Sequence, residues 1–396
     1  MQKTTYQRVV ILTAGAFYSF LVFGFTDNLK GPALPALLDD LSLNYTLGGT
    51  ILFGGYLGFL IATLLTGFLS DAVGKKAPLL VAGASLSLGI LAFSASSSPW
   101  LLTLTMAVIG LGLGSIELGA NRIIVDLHPE RKGLLLNLMA VFHGAGSMLA
   151  PLYAGWLLEA GNSWRTVYRW DLMAAALMLA VFILVRYPLP RSGNPDKTNL
   201  TRLWKAAFGG SMGWFYLAIG VYVALEIGMA AWIVEFLQET RGQTIAASTG
   251  ALSLFFLMVT VGRFLGGFLV DRIGLLRSVL IAMLAATGLV ALGIFGPGWT
   301  SFALPFSGLF LSIIFPTITA AASERHHENI GAILGVLFTF AGVGGMLGPW
   351  LIGIASDWLG IKLGFGVSLI YSILMTLAVI VLMLQDKKGG ADVPKH

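Results

Sequence analysis

Three acidic residues lie inside long apolar stretches of this 396-residue chain, where carboxylates are unusual: Asp27, Glu117 and Glu226. An ionised carboxylate in an apolar medium is costly unless it is paired with a cation, hydrated or protonated. A carboxylate that gains and loses a proton with its surroundings can link proton movement to a conformational change, and its oxygens also accept hydrogen bonds from hydroxyl groups. We therefore predict that these three acids bind protons and that Glu117 and Glu226 also bind a solute.

Other polar side chains accompany these acids at helical spacing. Asn121 follows Glu117 by one helical turn on the same face, and Tyr222 precedes Glu226 by one turn. An amide offers both a donor and an acceptor, and a tyrosine adds an aromatic face and a hydroxyl. The predicted substrate-binding set is Asn28, Glu117, Asn121, His143, Tyr222, Glu226 and Trp232.

Each acid also has a purely structural interpretation. Asp27 can cap a helix end, Glu117 can form a buried ion pair with Arg122, and Glu226 can line a water-filled outer vestibule. His143 can be a neutral histidine whose ring bonds a backbone carbonyl. The sequence does not separate these interpretations from the chemical ones.

The composition defines the elements that carry these residues. Hydrophobic residues make up 57% of the chain and charged residues 11%, against roughly 25% charged residues in soluble domains. So few charges cannot cover a soluble globule, whereas about 20 apolar residues suffice for a helix to cross a bilayer. The sequence predicts an all-α membrane protein with twelve transmembrane helices, over residues 8–38, 46–70, 77–96, 100–126, 132–158, 165–187, 212–238, 247–270, 276–295, 299–322, 329–355 and 361–384.

Lysine and arginine are concentrated on one side of these spans. Lys75, Lys76, Arg131 and Lys132 lie in loops on the same side as the amino terminus, together with the basic residues of the central linker. Because positive loops stay in the cytoplasm, we expect both termini to be cytoplasmic in a plasma membrane, here a bacterial inner membrane. The first apolar stretch has no small-residue cleavage site, so we expect it to be retained as a span.

An internal repeat divides the chain. GFLSDAVG at residues 67–74 is matched by GFLVDRIG at residues 267–274, and an offset of 198 residues aligns Gly146 with Gly344 and Pro151 with Pro349. Two similarly oriented halves are expected of transporters in which the substrate site lies near the midplane. We predict two pseudo-symmetric six-helix halves, residues 1–187 and 212–396, joined by a cytoplasmic linker, residues 188–211.

The repeated segment resembles a known signature. GFLSDAVGKK, residues 67–76, is similar to the loop between helices 2 and 3 of the major facilitator superfamily. Residues 110–121, 27–32 and 222–226 resemble the Gly-rich acidic helix 4, the Asn-Asp-x-Leu-x-Pro end of helix 1 and the Tyr-x-Gly-x-Glu of helix 7 in its fucose/galactose/glucose:proton symporter branch. The chain departs from these patterns because Asp27 and Asn28 are transposed and Arg122 stands where the fucose type has proline.

The resemblance implies a function and a set of roles. It implies symport of a hexose or related polyol with protons by alternating access, with Asp27 and Glu117 as the coupling pair. It also implies that charged residues at the cytoplasmic helix ends close that side of the protein, with Lys75 or Lys76 reaching Asp126. The predicted gating residues are Asp71, Lys75, Lys76, Asp126, Asp271 and Arg272.

Other functions have weaker support in the sequence. The run Gly144-x-Gly146-x4-Pro151 partly resembles the helix 5 signature of drug antiporters, so a proton-coupled exporter of drugs or lipid-like amphiphiles is the alternative. Its repetition in both halves favours helix packing instead. The chain has no cysteine and no phosphate-binding Gly-Lys-Ser/Thr loop, and the His and Glu residues around Asp126 lack metal-ligand spacing.

These observations predict no catalytic residue, no metal site, no cofactor and no nucleic-acid partner. The energy source is expected to be the proton gradient. The expected partners are a small-molecule substrate, a sugar, and the surrounding membrane lipid, and we expect a monomer.

Overall fold

The computed structural model describes residues 2–74, 76–185, 212–324 and 330–391. Within these ranges the regular elements are helices, and twelve helical segments are long and apolar enough to cross a membrane. The prediction of an all-α membrane protein with twelve spans is confirmed.

The helices are numbered in chain order. They are α1 (Gln2–Asp27), α2 (Lys30–Leu41), α3 (Tyr45–Val73), α4 (Ala77–Ala95), α5 (Pro99–Leu127), α6 (Lys132–Glu159), α7 (Trp164–Leu184), α8 (Met212–Arg241), α9 (Ile245–Ile273), α10 (Leu275–Phe295), α11 (Ala303–Leu311), α12 (Ile314–Glu324), α13 (Ile330–Leu359), α14 (Ile361–Phe365) and α15 (Val367–Ala391). A short 3₁₀ helix, Gly298–Phe302, precedes α11.

Three predicted spans are interrupted rather than continuous. The first consists of α1 and α2, the tenth of the 3₁₀ helix, α11 and α12, and the twelfth of α14 and α15. At the first break, the backbone N–H groups of Asn28 and Leu29 donate to the carbonyls three residues earlier instead of four. Pro32 lacks an N–H, so the first turn of α2 cannot continue the bonding of α1. The break therefore lies inside a span, directly after Asp27.

The residues group by contact into two compact units, each described here by itself. The first comprises Met1–Asn194 together with Ile233–Ser253. In it, α5 packs against α3 and α4, α4 against α7, and α1 against α6. A Cβ atom on Gly110 would lie 1.8 Å from the Gly55 carbonyl oxygen. Helices α3 and α5 can approach this closely only because the contact position is glycine.

The second unit comprises Pro195–Trp232 and Leu254–His396. In it, α10 packs against α11, α12 and α15, and α13 against α14. Helix α8 meets α13 where a Cβ atom on Gly344 would lie 1.9 Å from the Gly220 carbonyl oxygen.

The repeat is visible in this packing. Gly146, which the 198-residue offset aligns with Gly344, meets the first helix of its own unit in the same way. A Cβ atom there would lie 2.2 Å from the Leu21 carbonyl oxygen of α1. The glycines of the repeated run thus serve helix packing in both units.

The contact grouping places the end of α8 and the beginning of α9 with the first unit. There, the Ser253 hydroxyl donates to the Met148 carbonyl at 2.7 Å. The predicted linker, residues 188–211, lies outside the described residues. The division into 1–187, 188–211 and 212–396 therefore stays a prediction.

Candidate functional site

Glu117 lies in the middle of α5 and is half-buried. The amide nitrogen of Asn121, one turn later, donates to its Oε1 at 3.2 Å. Among the described residues no cation lies within ion-pair distance of this carboxylate. The second carboxylate oxygen and the amide oxygen of Asn121 leave acceptors for a hydroxylated ligand.

Arg122, the alternative partner of Glu117, faces elsewhere. Its guanidinium pairs with Asp126 one turn later, at 3.6 Å between Nε and Oδ2. The structural alternative of a Glu117–Arg122 ion pair is therefore wrong. Within the described part of the chain, the side chain that hydrogen-bonds Glu117 is a neutral amide, that of Asn121.

Asp27 lies at the end of α1 and has a cationic partner. Lys30 Nζ, at the start of α2, lies 2.5 Å from Asp27 Oδ1. Both side chains are largely buried, with 11% of the Lys30 side chain and 17% of the Asp27 side chain exposed. The same ammonium group sits 4.5 Å from the centre of the Tyr56 ring. Asp27 and Lys30 therefore form an ion pair across the break between α1 and α2, which the sequence analysis did not anticipate.

Asn28 and His143 take part in the contact between α1 and α6. The Asn28 amide nitrogen donates to the Gly24 carbonyl at 2.8 Å and to the Ser147 hydroxyl at 2.9 Å. The Ser147 hydroxyl in turn donates to the His143 carbonyl at 2.9 Å. The His143 ring packs edge-on against Phe23, with 4.7 Å between ring centres. Both donors of the Asn28 amide are thus used within the protein.

In the second unit, Glu226 on α8 is half-buried, and Arg263 on α9 lies close enough to stabilise its negative charge. Tyr222, one turn before Glu226, is fully buried and its hydroxyl faces that carboxylate. Among the described residues this hydroxyl makes no hydrogen bond of normal geometry, although it interacts electrostatically with Glu226. The Tyr222 ring lies 6.5 Å from the Phe315 ring. Buried polar atoms without a normal hydrogen bond are rare, and each calls for an explanation such as an ordered water molecule, an ion or a functional role.

Trp232 is also fully buried, but its polar atom is satisfied. The indole N–H donates to the Pro349 carbonyl in α13 at 2.9 Å. The geometry gives Trp232 a packing function; its predicted binding role stays a prediction.

The predicted gating residues are only partly described. Lys75 and the side chain of Asp71 lie outside the described part of the chain. Lys76 does not reach Asp126: its ammonium group donates to the Ile183 carbonyl at the end of α7, at 3.2 Å. Burial lowers the pKa of Lys76. Asp126 pairs with Arg122. The predicted contact of Asp126 with Lys75 lies outside the described residues and stays a prediction.

The other two gating candidates, Asp271 and Arg272, are exposed at the end of α9. The first unit has a separate charged group in Asp40, which accepts hydrogen bonds from the Arg165 guanidinium and from the Trp164 indole. Among the described residues no group of three or more His, Cys, Asp or Glu side chains is placed to hold a metal ion.

The sequence analysis overlooked Asp171. This acid lies seven residues into α7 and is 2% exposed, which makes it the more deeply buried counterpart of Glu117. The signal was present, since Asp171 falls inside an apolar span just as Asp27 does. Arg165 and Arg169 nearby suggested a helix end in polar surroundings, whereas the structure exposes Arg169 and buries Asp171.

Comparison with known proteins agrees with this arrangement. A glucose/galactose transporter of Brucella abortus is 24% identical over 377 residues, which cover 87% of this chain and 88% of the relative. The L-fucose-proton symporter of Escherichia coli is 23% identical over 385 residues, 86% of each chain. A solved structure of a nucleoside transporter covers 96% of this chain and 99% of its own with a TM-score of 0.77, at 14% identity, and so shows a shared fold.

The resemblance to transporters of the fucose/galactose/glucose:proton symporter branch is confirmed by the first two relatives. The twelve apolar helices indicate an integral, multi-pass membrane protein, and its relatives act on small molecules. The family model of the Major Facilitator Superfamily matches residues 16–338 and 229–395. The chain belongs to the Major Facilitator Superfamily.

Proposed function

We propose that this protein is a secondary active transporter that moves a sugar, a hexose or a related polyol, together with protons by alternating access. The observation that carries the proposal is Glu117: an acid at mid-span, hydrogen-bonded to Asn121 and without a cationic partner among the described residues. Keeping such a group charged inside a membrane is costly, so its protonation state responds to its surroundings.

Glu117 and Asn121 also offer the groups that a sugar needs. The protonated acid donates one hydrogen bond and accepts others, so it can bind a hydroxylated solute without burying a charge, whereas the charged carboxylate only accepts and loses its hydration when the solute binds. The affinity for a polyol therefore differs between the two protonation states. By thermodynamic linkage, binding the sugar then changes the affinity for the proton by the same factor.

The second unit supports the same solute chemistry. Tyr222 holds a buried hydroxyl that makes no hydrogen bond of normal geometry among the described residues, one turn from Glu226 and with its ring 6.5 Å from that of Phe315. A polar group with an adjacent aromatic face suits a pyranose ring, which has hydroxyls at its rim and apolar C–H groups on its faces. The names of the relatives from Brucella and Escherichia agree with a sugar substrate.

The proposal includes an orientation and a mode of action. Both termini are cytoplasmic in a bacterial inner membrane, and the protein acts as a monomer. The proton gradient supplies the energy without a bound cofactor, and the protein catalyses no covalent reaction.

The test is uptake by proteoliposomes under an inward proton gradient, with radiolabelled D-glucose, D-galactose and L-fucose and with a nucleoside as the comparison solute. Wild-type protein is expected to accumulate at least one sugar, and Glu117→Gln to abolish accumulation while sugar exchange at equal pH persists. Glu159→Gln, which changes an exposed acid at the end of α6, is the matched control and is expected to behave like wild type. Transport of none of the sugars would refute the substrate class, and full accumulation by Glu117→Gln would refute the coupling role.

A further inference from the structure

Among the described residues, Asp171 is hydrogen-bonded by one side chain, that of Thr26. The Thr26 hydroxyl on α1 lies 3.1 Å from Asp171 Oδ1 and 2.9 Å from Oδ2, and Thr26 is 1% exposed. A threonine hydroxyl has one hydrogen, so it satisfies at most one of the carboxylate's several acceptor positions at a time. A charged Asp171 would therefore remain mostly unsatisfied.

The groups that face Asp171 from the packed helices do not supply a counter-ion. Tyr18 on α1 and Tyr153 on α6 lie near it, but their hydroxyls donate to the carbonyls of Ala174 and Val167, at 3.1 and 2.9 Å. Tyr168 lies on the same helix.

The remaining neighbouring helices add no free cation. Helix α4, which packs along α7, contains no ionisable residue. On α2 the ammonium group of Lys30 pairs with Asp27. No cation within the described ranges lies at ion-pair distance from Asp171. A fully buried carboxylate without a cation is far more costly than the neutral acid.

We propose that Asp171 carries a proton in this conformation and forms, with Thr26, a second proton site of the transport cycle, separate from Glu117. The protonated acid donates one hydrogen bond and requires fewer acceptor partners than the carboxylate, so the neutral form fits the hydroxyl and apolar groups around it. The proton has no access to water while Asp171 is sealed between α7 and α1. It is released when α1 shifts away from α7 and the carboxylate becomes hydrated.

The position of Thr26 connects this site to the break in the first span. Thr26 directly precedes Asp27, and its carbonyl accepts the backbone bond from Leu29 at the break between α1 and α2. Movement at the break therefore changes both the Asp27–Lys30 pair and the hydrogen bond to Asp171. The protonated state is argued from burial and contacts alone, whereas its part in transport rests on the proposed function.

The protonated state is tested by infrared spectroscopy of the purified protein in lipid bilayers at neutral pH. A protonated carboxyl group has a C=O stretch that is separate from the bands of carboxylates and amides. We expect such a band in wild-type protein, its loss in Asp171→Asn and its persistence in Glu159→Gln. A carboxyl region that is identical in wild type and Asp171→Asn would overturn the proposal.

A second pair of variants keeps the test valid if Asp171→Asn does not fold. Thr26→Val preserves the side-chain shape and removes the hydroxyl, whereas Thr26→Ser keeps it. We expect Thr26→Val to move the carboxyl band to higher wavenumber, because the hydrogen bond to the acid is lost, and Thr26→Ser to leave it in place. An unmoved band in folded Thr26→Val would contradict the assignment to Asp171.

The transport role is tested separately in proteoliposomes. Asp171→Asn is expected to keep sugar exchange at equal pH and to lose part of the accumulation driven by a proton gradient. Unchanged accumulation would overturn the role in the cycle even if the infrared band is present. If no sugar is transported by wild-type protein, the proposed function fails, but the infrared result still decides whether Asp171 is protonated.

Discussion

The acids in the middle of the spans have different neighbours in the two units. In the first unit, Glu117 has only the Asn121 amide beside it, and the nearby Arg122 pairs with Asp126. In the second unit, Arg263 lies near enough to Glu226 to stabilise its negative charge, and the neighbouring Tyr222 hydroxyl makes no hydrogen bond of normal geometry among the described residues. An acid without a counter-ion is easily neutralised by a proton, whereas an acid beside a cation tends to stay charged.

This difference assigns different tasks to similar residues. We propose that the surroundings of Glu117 favour binding of a proton. Those of Glu226 favour an acid that stays charged and binds the hydroxyl groups of the solute. For comparison, the Asp27–Lys30 pair of the first unit is a buried acid in direct contact with its cation.

The largest loss of stability is expected from removing Lys30, the cation that pairs with Asp27. Lys30→Met leaves Asp27 buried without a partner, which is expected to lower the free energy of unfolding by about 3 to 5 kcal/mol. Asp27→Asn together with Lys30→Met is expected to recover most of the loss. Thermal unfolding of the single and double variants in detergent measures both values. Equal losses in the single and double variants would show that the lysine, and not the unpaired acid, accounts for the effect.

A comparison of two arginines tests the asymmetry between the units. Arg263→Met removes the cation beside Glu226 and is expected to cost about 1 to 2 kcal/mol of stability, less than a fully buried pair because Arg263 is exposed. Arg122→Met loses a half-exposed pair with Asp126, for which about 0 to 1 kcal/mol is expected. The same unfolding assay decides, and a larger loss for Arg122→Met would reverse the proposed contrast.

Removing the indole donor of Trp232 separates packing from binding. Trp232→Phe loses the hydrogen bond to the Pro349 carbonyl, which contributes about 1 kcal/mol. We expect a lower unfolding temperature and an unchanged KM for sugar exchange. A raised KM at unchanged stability would make Trp232 the substrate contact that the sequence analysis predicted.

Removing the Tyr222 hydroxyl is expected to have the smallest effect on stability. Its hydroxyl has no partner of normal geometry, so Tyr222→Phe should leave the unfolding temperature unchanged or raise it slightly. If the hydroxyl bonds the sugar, the substrate affinity falls by about 0.5 to 1.5 kcal/mol, the net value of one hydrogen bond. Isothermal exchange measurements of KM test this, and an unchanged KM would remove Tyr222 from the substrate site.

The sequence predicted the spans well because span length depends on the number of consecutive apolar residues, which is read directly from the chain. Pro32 indicated a kink after Asp27, but the break in backbone bonding at Asn28 and Leu29 was not predicted, because a hydropathy pattern does not contain such bonds. The packing role of Gly146 and Gly344 was predicted from the repeat. Because the same run occurs in both halves, one structural role shared by the two copies explains it more simply than two separate functions.

The partners of the charged residues were much harder to predict. Arg122 lies five residues after Glu117 and four residues before Asp126, and only the spacing of four places the two side chains on one helix face. The pairing of Lys30 with Asp27 depends on the break, and the burial of Asp171 depends on how α7 packs against α1 and α4. These facts come from tertiary packing, which no local pattern encodes.

The central claim is that Glu117 binds the transported proton when the protein binds the sugar. It is tested most directly by following the external pH of weakly buffered, de-energised proteoliposomes when the transported sugar is added. Wild-type protein is expected to alkalinise the medium in proportion to sugar uptake, and Glu117→Gln is expected to take up sugar down its gradient with no pH change. Sugar uptake by wild-type protein without alkalinisation, or equal alkalinisation by Glu117→Gln, would contradict the account.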